Sequence, residues 1–112
     1  YLKKELSLLG SAEEIFIRST KIIFSMIQKI IDHDIEPVAQ EGKIIEFKRR
    51  KPSDGDISDL DSIDKVFDYI RMLDAEGYPK AFLEIGNLRL EFSRASYKST
   101  NSILADVRIS EK

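Results

Sequence analysis

The stretch Ala81-Phe82-Leu83-Glu84-Ile85-Gly86-Asn87-Leu88-Arg89-Leu90-Glu91-Phe92-Ser93-Arg94-Ala95 holds two apolar runs around a two-residue turn signal. Leu88, Leu90 and Phe92 alternate with Arg89, Glu91 and Ser93, the period of two that puts apolar side chains on one face of a strand. A second apolar run, Ala81 to Ile85, lies on the other side of Gly86-Asn87. Two residues of this type between two such runs signal a tight antiparallel hairpin. A polar loop at residues 98–102 follows, and then a further apolar run from Ile103 to Ile109. The spacing predicts strands over 81–85, 88–95 and 103–109, joined as an antiparallel meander.

Upstream of the meander the period changes. Ile63, Val66, Phe67, Ile70 and Leu73 recur at three- and four-residue intervals, which predicts a short helix capped by Asp61 or Ser62 and stopped by Gly77 and Pro79. Residues 49–61 are polar, with Pro52 and Asp54-Gly55 as turn signals. Lys43 to Lys48 reads as a short strand, and Pro37 breaks the segment before it into an extended crossing. Further back, Ser11-Ala12-Glu13-Glu14 has the pattern of a capping box. It opens a predicted helix of about 20 residues, with Ile15, Ile22, Ile23, Met26, Ile27, Ile30 and Ile31 in one apolar stripe. Glu14, Arg18, Lys21 and Lys29 fall mostly on its other side. Leucines at 2, 6 and 8 predict a strand over residues 1–8, broken by Gly10. Two helices and several strands in separate blocks place the chain in the α+β class.

Composition narrows the function. With 42% hydrophobic and 34% charged residues, the 112-residue chain has the make-up of a folded domain. It has no cysteine, which excludes disulfides and thiol nucleophiles, and a single histidine, His33, which excludes multi-histidine metal sites. No apolar run approaches the ~20 residues that a membrane helix needs. Residues 1–41 hold five Lys/Arg against seven Asp/Glu, and residues 42–112 hold 13 of each. A domain that grips many phosphates shows a basic excess, so a polynucleotide partner would have to be met by a local cluster. Tyr1-Leu2-Lys3-Lys4-Glu5 is neither an initiator methionine nor a leader, and the expectation is that the chain starts in mid-protein.

A local cluster is present. Phe47-Lys48-Arg49-Arg50-Lys51-Pro52-Ser53-Asp54 resembles the aromatic, Arg-Arg, Pro, Asp run that opens the C-terminal subdomain of the formyltransferases, above all of those acting on nucleotide-linked aminosugars. Asp68-Tyr69-Ile70-Arg71-Met72-Leu73 is similar to that subdomain's Ile-Arg-Ala-Leu helix, and Tyr78-Pro79-Lys80-Ala81-Phe82 to its Tyr-Pro-Gly-Ala-Phe motif, with Lys80 in place of the glycine. Ser11-Ala12-Glu13-Glu14-Ile15 resembles the end of the family's catalytic domain. The resemblance covers almost the whole chain. It implies that residues 1–35 are the closing strand and helix of a Rossmann-like catalytic domain. Residues 36–42 would be a linker, and residues 43–112 a small OB-like subdomain with one short helix. It also implies a cytoplasmic enzyme that moves a formyl group from 10-formyltetrahydrofolate to an amine on methionyl-tRNA or on a nucleotide sugar. The family's catalytic Asn-x-His does not occur here. Catalysis and folate binding would then lie upstream, on a catalytic domain of the same protein, with no catalytic residue in this segment.

The candidate acceptor-binding residues are Arg49, Arg50, Arg71 and Tyr78. Arginine forks match phosphate oxygens, whereas a solvated charge run is the plain alternative for residues 48–51. Arg71 lies near the apolar stripe of its helix, where an internal ion pair competes with ligand contact. Tyr78 and Phe82 could stack a base or fill the core. His33 sits where it compensates a helix dipole. Asp54, Asp56, Asp59 and Asp61 lack the terminal glutamate of a calcium loop. The rival from another class is a stand-alone, non-enzymatic OB-like binding module.

Overall fold

The computed structural model describes residues 2–112. Its elements run α1 (Ala12–His33), a 3-10 turn (Pro52–Gly55), α2 (Ile63–Met72), β1 (Ala81–Ile85), β2 (Leu88–Ser99) and β3 (Ser102–Glu111). The fold is α+β, with the three strands in one antiparallel sheet of order β1-β2-β3.

Each expected helix forms for the expected reason. Ser11 caps α1: the Glu14 backbone N–H donates to its hydroxyl, and the Glu14 carboxylate accepts from the Ser11 N–H at 2.7 Å. Ser62 caps α2 by accepting from the Lys65 N–H at 3.3 Å. The hairpin turns at Gly86-Asn87, where Gly86 takes φ +57, the positive value that the first position of a II′ turn needs. Lys112 N–H donates to the Asn87 carbonyl at 3.0 Å and closes the far end of the meander.

β2 runs longer than the alternation indicated, because it contains a bulge. The register shifts between Ser93 and Ser96, and Arg94 there takes φ +51. One extra residue reverses the phase of the strand, so that Ala95 and Tyr97 continue the face begun by Leu88, Leu90 and Phe92. That face carries α2. Ile57, Ile70 and Ala81 are buried at its centre, ringed by Leu60, Val66, Tyr69, Leu73, Leu83, Phe92, Ala95, Ile103 and Ala105.

Two expected strands are absent. Residues 2–9 and 43–48 adopt no regular structure, and Tyr1, the first residue of the former strand, lies outside the described residues. An extended run becomes a strand only when another strand takes its hydrogen bonds, and neither segment meets one. Residues 2–9 instead run along α1, where the Arg18 guanidinium donates to the Ser7 and Leu9 carbonyls and Lys4 Nζ donates to Ser25 Oγ. Arg18 therefore lies on the charged side of α1, between Glu14 and Lys29, where residues 2–9 partly cover it. The three-stranded sheet also falls short of the five strands of an OB barrel.

The molecule is elongated. Its Cα radius of gyration is 18.3 Å, against about 13 Å for a compact domain of this length. Phe16, Ile17, Ile23, Phe24, Ile27 and Ile31 of α1 remain exposed, as do Val38, Ile44, Ile45 and Phe47 of the segment that follows.

Candidate functional site

The start of α1 and the end of α2 meet through two residues of α2's last turn and its exit. Arg71 donates from Nη1 to the carbonyls of Leu8 (2.8 Å) and Gly10 (3.0 Å), and from Nε to Asp68 Oδ1 (2.7 Å). Asp74 accepts Lys80 Nζ at Oδ1 (2.8 Å) and the Arg94 backbone N–H at Oδ2 (2.7 Å), while its carbonyl accepts the Glu13 N–H (3.3 Å). Burial pushes the Asp74 carboxyl up, but its bonds to Lys80 and Arg94 outweigh that and leave it below the usual range. Lys80 thus has a structural task, also donating to the Ala75 carbonyl at 3.2 Å.

This junction leaves an open groove of about 930 Å³ between the two helices and the polar run before α2. Its floor is apolar, with Ile15 and Phe16 from α1 and Met72 and Leu73 from the end of α2. Tyr78 stands edge-on to Phe16, with ring centroids 5.7 Å apart at 88°. Arg49, Arg50 and Lys51 form a rim of three consecutive cations. The 3-10 turn sets that rim. The Lys51 N–H donates to Asp54 Oδ2 at 2.8 Å, and Arg50 Nη2 donates to the Asp54 carbonyl at 2.9 Å. Arg50 also lies 5.1 Å from the centre of the Tyr69 ring. Arg49 makes no hydrogen bond or ion pair among the described residues. Gly55 is buried beneath the rim, where a Cβ would come within 3.1 Å of the Lys80 carbonyl oxygen.

The structure therefore brings Arg49, Arg50 and Tyr78 to one groove and places Arg71 elsewhere. Arg71 lines a separate cleft of about 330 Å³ with Gly10, Ser11, Glu14, Asp74 and Arg94, its guanidinium already occupied by the junction. Phe82 is buried under Arg89, whose guanidinium lies 3.6 Å from the ring centre, and it takes no part in the groove. His33 is exposed in the last turn of α1. Sequence reasoning missed Phe16 and Met72 as lining residues. Phe16 lies within the isoleucine stripe, seven residues before Ile23, and that placement was its one visible sign.

The fold is thus a small α+β unit with a groove that is apolar on its floor and cationic at its mouth. Residues 52–110 match the family described as methionyl-tRNA formyltransferase, C-terminal domain, and the chain belongs to that family. It is similar to a solved structure, methionyl-tRNA formyltransferase from Clostridium thermocellum, with 50% identity and a TM-score of 0.94 over all of this chain and 49% of that one. The chain thus spans about half the length of that relative. No curated protein matches it.

Proposed function

We propose that the chain is the acceptor-side portion of an N-formyltransferase that transfers the formyl group of 10-formyltetrahydrofolate to the amine of methionyl-tRNA. The observation that carries this reading is the groove: an unpaired guanidinium, Arg49, stands with Arg50 and Lys51 at the mouth of an apolar slot that ends in Tyr78 and Phe16. A phosphate at the rim with a planar group on the floor fits this arrangement. Family membership and the similarity to the clostridial protein support the reaction class.

The chemistry itself belongs to a segment upstream. Formyl transfer passes through a tetrahedral intermediate and needs oxyanion donors and a group to take the amine proton. The residues of this chain do not fit that task or a folate: no Asn-x-His occurs, and His33 is far along α1 from the groove. In this proposal residues 1–35 close the catalytic domain, 36–42 link, and 43–112 receive the acceptor in the cytoplasm.

A second reading replaces methionyl-tRNA with a nucleotide-linked aminosugar. It is favoured by the 13 to 13 charge balance of residues 42–112, which offers little to a polyanion beyond the rim. One experiment tests both. In the full-length protein carrying this segment, Arg49→Ala removes a charge-assisted bond of roughly 1.5–3 kcal/mol and should raise the acceptor KM about tenfold or more, with the folate KM unchanged. A steep loss of acceptor affinity with salt identifies the tRNA, and a gentle one the sugar. Unchanged acceptor kinetics would leave residues 48–51 a solvated run and the chain a binding module of another kind. Formylated product from the 112-residue chain alone, above background, would overturn the upstream placement of catalysis.

A further inference from the structure

We propose that β3 is a self-pairing edge through which two copies of this chain join antiparallel, with Val107 opposite the partner's Val107. The inference rests on nothing in the formyl-transfer reading. β3 is hydrogen-bonded to β2 on one side only, so its other side is an open edge among the described residues. The parity of that edge is fixed by the bond from Lys112 N–H to the Asn87 carbonyl. In an antiparallel ladder the N–H and C=O of one residue point to the same side, and successive residues alternate. Arg108 and Ser110 therefore turn their backbone towards β2, as Lys112 does, whereas Val107, Ile109 and Glu111 turn theirs outward. Unpaired outward groups of this kind are a template for another strand.

The side chains select the register. With the twofold axis at Val107, Ala105 faces the partner's Ile109, and Asp106 faces the partner's Arg108 on both sides of the axis. These charged positions are non-hydrogen-bonded pairs, in which cross-strand side chains come closest. Arg108 has no ion-pair partner among the described residues, and Asp106 is held by Arg94 alone. An axis at Asp106 or Arg108 would oppose like charges. An axis at Ile109 would set Val107 against a glutamate, and one at Ala105 would leave Arg108 facing a serine. The Val107 register leaves one mismatch, Ile103 against Glu111, at the ends. Because this twofold axis is perpendicular to the sheet, it also merges the two exposed apolar strips formed by Ile85, Leu88, Val107 and Ile109 into one continuous face.

In the full-length protein carrying this segment, with any cysteine outside it replaced by serine, single thiols report the register directly, because residues 1–112 hold no cysteine. In a Val107→Cys chain the two thiols meet across a pair about 5.5 Å apart at Cα, within disulfide reach. In an Ile103→Cys chain they lie roughly 26 Å apart. Mild oxidation should link most of the first and form the second dimer at least about tenfold more slowly, whatever contacts α1 makes. Arg108→Asp should lower Val107→Cys linking about tenfold with the circular dichroism unchanged, and Arg108→Lys should keep it. Absence of the Val107→Cys disulfide, equal linking at Ile103→Cys, or indifference to Arg108→Asp would each overturn the proposal. If Arg108→Asp unfolds the chain, the comparison of the two thiols decides.

Discussion

Asp74 joins three parts of the chain with one side chain and one carbonyl. It holds Lys80 before β1, the Arg94 N–H in the β2 bulge, and the Glu13 N–H at the start of α1. Arg94 needs such a partner, since φ +51 is costly for a residue with a Cβ. The carboxyl's folded pKa is lowered, with burial opposing and the Lys80 and Arg94 bonds prevailing. Its contribution to stability is therefore complete above the unfolded value near 3.9 and is lost as pH falls through the lower folded value. Denaturation midpoints measured from pH 6 to pH 2 should fall at the acid end, and Asp74→Asn should flatten that fall. Asp74→Ala should cost about 2–3 kcal/mol at neutral pH, because it strands a half-buried ammonium and a backbone donor. A cost below about 0.5 kcal/mol would mean that water replaces these bonds.

At the scale of elements, α2 is the one helix whose apolar stripe is covered, and it is covered by the sheet. Ile70 is 1% exposed at the centre of that contact, while Met72, on the groove side, is 39% exposed. Ile70→Ala should cost about 2–5 kcal/mol and Met72→Ala under about 1, by chemical denaturation. Equal costs would show that the groove floor carries as much of the core as the sheet does. The β2 bulge belongs to the same contact. Without its extra residue, Tyr97 would leave the face where it stacks on Phe67, 4.3 Å between centroids, and where its hydroxyl donates to Asp64.

For the whole molecule the exposed surface is the informative quantity. A compact monomer of 12.9 kDa exposes about 6,300 Å², and this chain exposes 9351 Å². Much of the excess lies on α1 and on the extended segment after it, where Ile31, Val38, Ile44 and Phe47 are each at least 70% exposed. Exposed apolar side chains that recur along one side of α1, such as Ile17, Phe24 and Ile31, mark a contact surface. The isolated 112-residue chain should associate or unfold at low temperature. Replacing Ile17, Phe24 and Ile31 together with glutamine should reduce that association in sedimentation runs. A monodisperse monomer of the unaltered chain with one cooperative thermal transition would contradict the expectation.

Local signals in the sequence determined both helices, their caps, the hairpin turn and the α+β class, because capping, periodicity and turn chemistry act over a few residues. The Arg49-Arg50 run and Tyr78 were legible as candidates for the same reason. Tertiary structure decided the rest. Leu2 to Leu8 alternates like a strand and Lys43 to Lys48 reads as a short one, yet a strand also requires a partner that local sequence does not name. Arg71 and Tyr78 look equally available in the sequence; only the docking of α1 against the end of α2 commits the first to Leu8 and Gly10 and leaves the second in the groove. The bulge at Arg94 was hidden because its cause, the Asp74 carboxylate, lies 20 residues away along the chain.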